Sequence, residues 1–192
     1  RVHHQREKDG MPTHLQCLRL LPSRCLSIVG HFRLPRLPTR ILLDNGRGSH
    51  AMVDEVSELD LPPNVVDLLI NQWNITKLHP PQAEALPVAL SGENLLLAIP
   101  TASGKSLVAY LAIIQRILVD KPGSRAFYLV PLKALASEKV EELREAGDFL
   151  GFTVGMAVGD RAGETVSLDQ ADVIVATSEK FDSLMRNREG FL

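Results

Sequence analysis

The chain has 192 residues and a formal net charge of −2, and 45% of its residues are hydrophobic. That hydrophobic fraction is typical of a protein with a packed core and argues against wholesale disorder. The apolar runs all fall short of the roughly 18 residues that a membrane-spanning helix requires, so we expect a cytoplasmic protein with no membrane partner.

The first 51 residues differ in composition from the rest. They contain nine Arg or Lys residues, three acidic residues and both cysteines, whereas the remainder contains 12 basic and 20 acidic residues. This Pro-rich and Arg-rich segment has no regular hydrophobic pattern, so it is predicted to be disordered or not native to the working protein. A basic nucleic-acid-binding arm and a cleaved targeting peptide are the alternatives. Cys17 and Cys25 lack a second pair, so we expect no zinc site.

Two helices are predicted between residues 52 and 91. The segment 62–73 starts with two prolines, which suit a first helical turn, and its apolar residues recur at helical spacing. Trp73 is interpreted as a core residue, and Asn74 as a left-handed helix stop. The second helix starts at Pro80 and places Gln82 in its first turn, directed back toward the preceding loop. A Gln amide there can pair with adenine, although such a residue is more often a cap or solvated.

The chain is organised around residues 94–111, which read NLLLAIPTASGKSLVAYL. The short apolar run is typical of a parallel strand buried on both faces, and the apolar helical pattern follows the loop directly. The unpaired amides at the start of that helix can bind anionic oxygens. Gly104 allows close approach of the backbone to a phosphate, Lys105 can reach the outer phosphates, and the Ser106 hydroxyl is placed to hold Mg²⁺.

This loop departs from the strict phosphate-loop pattern GxxxxGK[ST], because Ile99 stands where the first glycine belongs. The closing Gly-Lys-Ser, which carries most of the chemistry, is retained. A chance Gly-Lys-Ser in a surface loop is the alternative, and the flanking strand and helix argue against it.

The rest of the chain alternates strands and helices. The predicted helices run from 107 to 118, from 131 to a stop at Gly147, and onward from a cap at 177–180; the predicted strands are 125–130, 152–158 and 172–176. Such alternation predicts an α/β fold with a mostly parallel, doubly wound sheet. Ligands then gather at the carboxyl ends of the strands, where each polar segment of interest lies.

Five motifs occur in a fixed order, at residues 78–82, 99–106, 131–135, 159–160 and 176–184. With these motifs the chain resembles a superfamily-two DNA helicase, and most closely the archaeal HelQ-like members of the Ski-like group. The resemblance covers about residues 52–192. It implies a partial first motor domain with the RecA-like P-loop NTPase fold, incomplete at the C-terminus, that uses ATP and Mg²⁺.

The resemblance also implies roles for individual residues. Lys105 and Ser106 are the implied catalytic residues, and Ser106 is the implied Mg²⁺ ligand. The implied ATP-binding residues are Gln82, Thr101, Ala102, Ser103, Gly104, Lys105 and Ser106. The implied nucleic-acid-binding residues are Pro131, Lys133, Ala134, Gly159, Asp160, Thr177, Ser178 and Lys180. For the two lysines, a solvated helix face is the alternative.

Two departures from the family pattern affect the expected activity. His79 stands where the family often has an aromatic residue, which weakens the expected stacking on adenine. The acidic DExH motif does not occur in the sequence, and neither does a second motor domain with its arginine finger. We therefore expect the complete protein to be a 3′ to 5′ helicase acting on single-stranded or forked DNA in fork repair. The 192-residue chain alone is expected to bind nucleotide weakly without turnover.

Two other functional classes compete with this interpretation. One is a nucleotide-binding regulatory module without hydrolysis. The other is a P-loop tRNA prenyl transferase, since some of these enzymes have a similar PTASGKS loop. They carry that loop near the chain start, without the segment seen here at 78–82, which makes the helicase interpretation the better match.

Overall fold

The computed structural model describes residues 55–99, 104–159 and 168–186, together with the backbone of strands within 16–43 and at 161–162. The strands are β1 (Gln16–Leu20), β2 (Cys25–Gly30), β3 (Arg40–Leu43), β4 (Leu95–Ala98), β5 (Arg125–Val130), β6 (Val154–Val158), β7 (Arg161–Ala162) and β8 (Val173–Thr177). The helices are α1 (Pro63–Asp67), α2 (Pro80–Leu90), α3 (Lys105–Gln115), α4 (Lys133–Leu150) and α5 (Ser178–Arg186). Helices α1 and α3 continue into π-helical turns at Leu68–Gln72 and Arg116–Asp120, and a 3₁₀ turn spans Val56–Glu58.

The described strands form one sheet in the order β3-β4-β1-β2-β5-β8-β6-β7. Pairing is parallel for β3 with β4, β2 with β5, and β8 with both β5 and β6; the three other pairs are antiparallel. The prediction of a mostly parallel α/β sheet is therefore confirmed. Strands β1, β2 and β3 lie within the segment 1–51, whose other residues fall outside the described ones. The proposed disorder or non-native origin of that segment stays a prediction.

Alternate residues of the central strands face two separate cores. On β5, Tyr128 and Val130 pack into the larger core with the residues of α1, α2, α3 and α4. Phe127 and Leu129 point the other way and pack with Phe181 of α5. A strand that is buried on both faces needs uncharged, mostly apolar side chains, which explains the run AFYLV after the half-buried Arg125 that begins the strand.

Most helix ends follow the predicted signals. Pro63 is the first residue of α1, and Asn74 adopts the left-handed conformation with φ 53°. The predicted stop at Gly147 was wrong, because α4 continues to Leu150 and ends at Gly151, which has φ 85°. Gly147 is buried, and an added Cβ there would lie 2.4 Å from the Phe152 carbonyl oxygen. Its role is close packing within the helix rather than termination.

Candidate functional site

The four strands that precede the predicted site segments end at one edge of the sheet. β4 is antiparallel to β1, β1 is antiparallel to β2, and β2 is parallel to β5, so β4 and β5 run in the same direction. β8 and β6 share that direction through their parallel pairing. The segments that follow these strands therefore converge on one edge, as the sequence predicted.

The described part of the phosphate loop is its closing half. Gly104 has φ 70°, and it is followed at once by Lys105 and Ser106, the first two residues of α3. The Lys105 side chain turns back and donates a hydrogen bond to the Ile99 carbonyl oxygen at 2.7 Å. Lys105 is only 8% exposed, and this burial lowers the pKa of its ammonium group. The remaining predicted phosphate ligands, at positions 101–103, lie outside the described residues.

Gln82 connects the start of α2 to the phosphate loop. It is 4% exposed, and its Oε1 accepts a hydrogen bond from the His79 backbone N–H at 2.8 Å. Its Nε2 donates to the Gly104 carbonyl oxygen at 3.1 Å. A Cβ added at Gly104 would lie 2.0 Å from that Nε2. The Gln82 amide thus meets two backbone groups, and its predicted contact with adenine stays a prediction.

Ser106 is half-buried beside Lys105, at the second position of α3. Among the residues that the structure describes, His, Cys, Asp and Glu form no group of three or more that could hold a metal ion. Mg²⁺ commonly takes one or two protein ligands and fills its remaining positions with water and phosphate oxygens. The Ser106 hydroxyl would be one ligand of such a site, and its predicted role toward Mg²⁺ stays a prediction.

The predicted nucleic-acid contacts follow three neighbouring strands, β5, β8 and β6. Pro131, Lys133 and Ala134 are exposed after β5, and Lys133 is the first residue of α4. Thr177 ends β8, and the half-buried residues Ser178 and Lys180 belong to the first turn of α5. The exposed Gly159 follows β6 with φ 58°, and position 160 lies outside the described residues.

The sheet order separates the phosphate loop from these three segments. Strands β1 and β2 lie between β4 and β5. With neighbouring strands about 4.8 Å apart, the ends of β4 and β5 are separated by about 14 Å, whereas the ends of β5 and β6 are about 10 Å apart. The three nucleic-acid segments therefore form one continuous group, with the phosphate loop to one side.

Packing of α5 against β5 positions two of the predicted contacts. The rings of Phe127 and Phe181 meet edge to face, with 5.0 Å between their centroids. Phe127 is fully buried, so this contact anchors the first turn of α5 to the sheet. Ser178 and Lys180 belong to that anchored turn.

The sequence interpretation missed a partly buried polar contact between α3 and α4. Tyr110 is 4% exposed, and its hydroxyl donates a hydrogen bond to Glu142. Glu142 also accepts a hydrogen bond from Lys139 Nζ at 2.7 Å. The Tyr110 ring packs against Trp73 and Tyr128, with centroid distances of 6.2 and 5.6 Å. The available signal was one hydroxyl-bearing ring in an otherwise aliphatic stretch of α3.

Burial is the main reason that the pKa of Tyr110 is raised far above its ordinary value, and the neighbouring Tyr128 and Glu142 raise it further. The phenol therefore stays protonated and remains a hydrogen-bond donor.

In the part of the chain that the structure describes, none of the helices combines the length and apolar composition needed to cross a bilayer.

Comparisons with known proteins identify the family and the fold of this chain. The family profile described as DEAD/DEAH box helicase matches residues 79–192. The ATP-dependent DNA helicase Hel308 of Pyrococcus horikoshii is 48% identical over 139 residues, which cover 72% of this chain and 19% of that protein. The chain thus spans about a fifth of the length of this curated relative.

Two solved structures show the same fold. A variant of Saccharomyces cerevisiae Dbp5 bound to Gle1 and IP6 is 26% identical, with a TM-score of 0.59, and the match covers 72% of this chain and 36% of Dbp5. The RNA helicase Prp28 from Chaetomium thermophilum bound to ADP is also 26% identical, with a TM-score of 0.56; that match covers 69% of this chain and 34% of Prp28.

Proposed function

Because this chain belongs to the DEAD/DEAH box helicase family, we propose that it forms part of the first motor domain of an ATP-dependent DNA helicase. The complete protein couples ATP hydrolysis to movement along single-stranded DNA, in the 3′ to 5′ direction, and unwinds forked DNA in replication-fork repair. Its place of action is the cytoplasm. The names of the relatives support ATP and DNA as ligands, since Hel308 is an ATP-dependent DNA helicase and Prp28 was solved with ADP.

The observation that carries the proposal is the position of Gly104, Lys105 and Ser106. They start α3 at the sheet edge that also holds the three candidate nucleic-acid segments. A helix start at the carboxyl end of a buried strand is suited to phosphate, because its amides and dipole favour negative charge.

Lys105 exchanges partners when nucleotide binds. Its ammonium leaves the Ile99 carbonyl oxygen, which it contacts at 2.7 Å, and meets an outer phosphate oxygen. Burial has already removed much of its hydration, so an anionic partner gains more from this cation than it would in water. Ser106 would hold Mg²⁺, which neutralises phosphate charge when bound. Gln82 orders the loop through Gly104 and reads adenine through the same amide.

Binding of DNA relies on the sugar-phosphate backbone rather than on base identity. Thr177 and Ser178 supply hydroxyls at the start of α5, while Lys133 and Lys180 supply positive charge. Contacts of this kind position a strand without reading its sequence. The net charge of −2 means that the attraction is local to this edge.

Nucleotide binding is tested by titrating the chain with a fluorescent ATP analogue and Mg²⁺. Lys105→Met should weaken binding at least tenfold, because a charge-assisted phosphate contact is lost. Lys121→Met is the matched control, since Lys121 is exposed at the opposite end of the same helical segment and should bind like the parent chain. If the parent chain binds no analogue, or if Lys105→Met binds as well as the parent, the phosphate role is wrong.

Nucleic-acid binding is tested by the salt dependence of oligo(dT) affinity. Lys133→Gln should reduce the slope of log K against log salt by about 0.7, the value for one phosphate contact on single-stranded DNA. Lys77→Gln, at an exposed site before α2, should leave the slope unchanged. If both variants gave the same slope, Lys133 would not contact the nucleic acid.

Helicase activity itself requires the longer protein, where single-stranded DNA should stimulate ATP turnover. Nucleotide binding without turnover there would favour a regulatory module.

A further inference from the structure

Two helices start at the two candidate sites and meet at one partly buried contact. Helix α3 starts at Lys105 beside the phosphate loop, and α4 starts at Lys133 in the first nucleic-acid segment. The Tyr110 hydroxyl of α3 donates to the Glu142 carboxylate of α4. At 1.5 Å per residue, Tyr110 lies about 7.5 Å along α3 from Lys105, and Glu142 lies about 13.5 Å along α4 from Lys133.

We propose that the Tyr110–Glu142 hydrogen bond couples nucleotide binding to nucleic-acid binding, with both residues acting as positioning residues. The inference rests on the proposed function, because it needs ligands at both sites. Occupancy of the phosphate loop sets the position of α3, and the bond passes that position to α4 and to the exposed lysine at its start.

The surroundings of the bond hold the Tyr110 donor in place and pair the Glu142 acceptor with a lysine. Tyr110 lies between the rings of Trp73 and Tyr128, so its hydroxyl has little freedom to turn away. On the other side, Lys139 pairs with Glu142 at 2.7 Å and is itself only 14% exposed. The low exposure of the Tyr110 and Lys139 side chains keeps water away from the donor side of this bond. A shift of either helix must therefore move the other helix or break the bond.

The raised pKa of Tyr110 keeps its proton in place throughout the neutral range. Glu142 keeps a part of its surface exposed, since its side chain is 39% accessible. This combination leaves a fixed donor on the nucleotide side and an acceptor on the nucleic-acid side that can reorient. A coupling element needs such a contact, because two rigidly fused helices would have one arrangement and could not respond.

The experiment measures the affinity of the chain for a fluorescent ATP analogue with Mg²⁺, in the absence and in the presence of saturating oligo(dT). The ratio of the two dissociation constants is the coupling factor, and by reciprocity the same factor must appear when oligo(dT) is titrated with and without nucleotide. Couplings of this kind are typically about 5-fold to 150-fold. Tyr110→Phe keeps the ring and its contacts but removes the hydroxyl, so the factor should fall to within about twofold of 1.

Nucleotide affinity without DNA should change less than about twofold in Tyr110→Phe, because Tyr110 does not contact the phosphate loop residues through its hydroxyl. Glu142→Ala should reproduce the loss of coupling, and the double variant should be no worse than either single variant. Glu142→Gln keeps an acceptor and should retain part of the factor. Glu141→Gln removes a charge from the exposed position immediately before Glu142 in the same helix and is the matched control.

The outcomes separate this inference from the proposed function. If the parent chain binds neither ligand, the proposed function fails first. If it binds both ligands independently, or if Tyr110→Phe and Glu142→Ala both retain the parent coupling factor, the coupling role is wrong while the sites remain. Thermal unfolding of each variant checks the fold. If Tyr110→Phe does not fold, Glu142→Ala decides alone: loss of the coupling factor supports the role, and the parent factor overturns it.

Discussion

Replacing Gly104 with Ala tests the packing between the phosphate loop and the start of α2. Gly104 has φ 70°, a conformation that costs an L-residue about 1 to 2 kcal/mol. The new Cβ would also lie 2.0 Å from Gln82 Nε2, so the Gln82 side chain must move. That movement breaks the hydrogen bonds between Gln82 and the backbone groups of His79 and Gly104.

Each of these hydrogen bonds contributes about 1 kcal/mol to stability. Together with the backbone term, Gly104→Ala should lower the free energy of unfolding by about 3 to 4 kcal/mol. For a chain of this size, the midpoint of thermal unfolding should fall by roughly 6 to 16 °C. Gly151→Ala is the matched control, because Gly151 has φ 85° but a Cβ there meets no described atom within 4 Å. Gly151→Ala should lower the free energy of unfolding only by the cost of the left-handed backbone conformation, about 1 to 2 kcal/mol.

A double-mutant cycle with Gln82→Ala identifies the source of the cost. Removing the Gln82 side chain clears the space beside Gly104 and abolishes both hydrogen bonds in advance. In the Gln82→Ala background, Gly104→Ala should therefore cost only about 1 to 2 kcal/mol, as measured by urea denaturation. If Gly104→Ala costs the same in both backgrounds, the contact between Gln82 and the phosphate loop does not exist in solution.

Two further predictions concern a buried charge and a packed glycine. Because burial lowers the pKa of Lys105 below its ordinary value of 10.5, the unfolded chain binds more protons than the folded chain between the lowered pKa and 10.5. Stability of the parent chain relative to Lys105→Met should thus rise with pH through that window in urea denaturation, and a flat difference would contradict the shift. Gly147→Ala should destabilise the chain by about 1 to 3 kcal/mol despite the better helix propensity of Ala, because the Cβ would lie 2.4 Å from the Phe152 carbonyl oxygen. Asp148→Ala, at an exposed neighbouring position, should be nearly neutral, and a stabilised Gly147→Ala would show that the helix has room there.

Much of the fold was predictable because strands and helices leave local patterns. After Arg125, strand β5 has no charged residue because both of its faces are buried, and this distinguishes it from a surface strand. Pro63 and Asn74 mark helix ends through their own backbone preferences, which need no distant partner. Gly147 misled the interpretation because glycine serves both as a helix stop and as a close-packing residue. Only the position of Phe152 distinguishes the two roles here.

For the candidate site too, the local features were predictable from the sequence and the long-range contacts were not. The sequence predicted Gly104, Lys105 and Ser106 after a buried strand, because a phosphate loop is formed by residues that are neighbours in the chain. The partner of Gln82 across 22 residues was not legible, and neither was the bond between Tyr110 and Glu142 across 32 residues. Contacts at such separations depend on how whole helices are placed, and the local pattern around each residue is compatible with many placements.

By itself, the sequence determined the α/β class, the order of strands β4, β5, β6 and β8 with the helices that follow them, and the chemical character of the loops at their ends. It gave no sign of β1, β2, β3 or β7. Only the tertiary structure decided that β1 and β2 lie between β4 and β5, that Lys105 donates to the Ile99 carbonyl oxygen, and that a partly buried hydrogen bond joins α3 to α4. The physical reason is that period and propensity act over a few neighbouring residues. In contrast, the order of the strands and the hydrogen bonds between distant elements depend on how the whole domain packs.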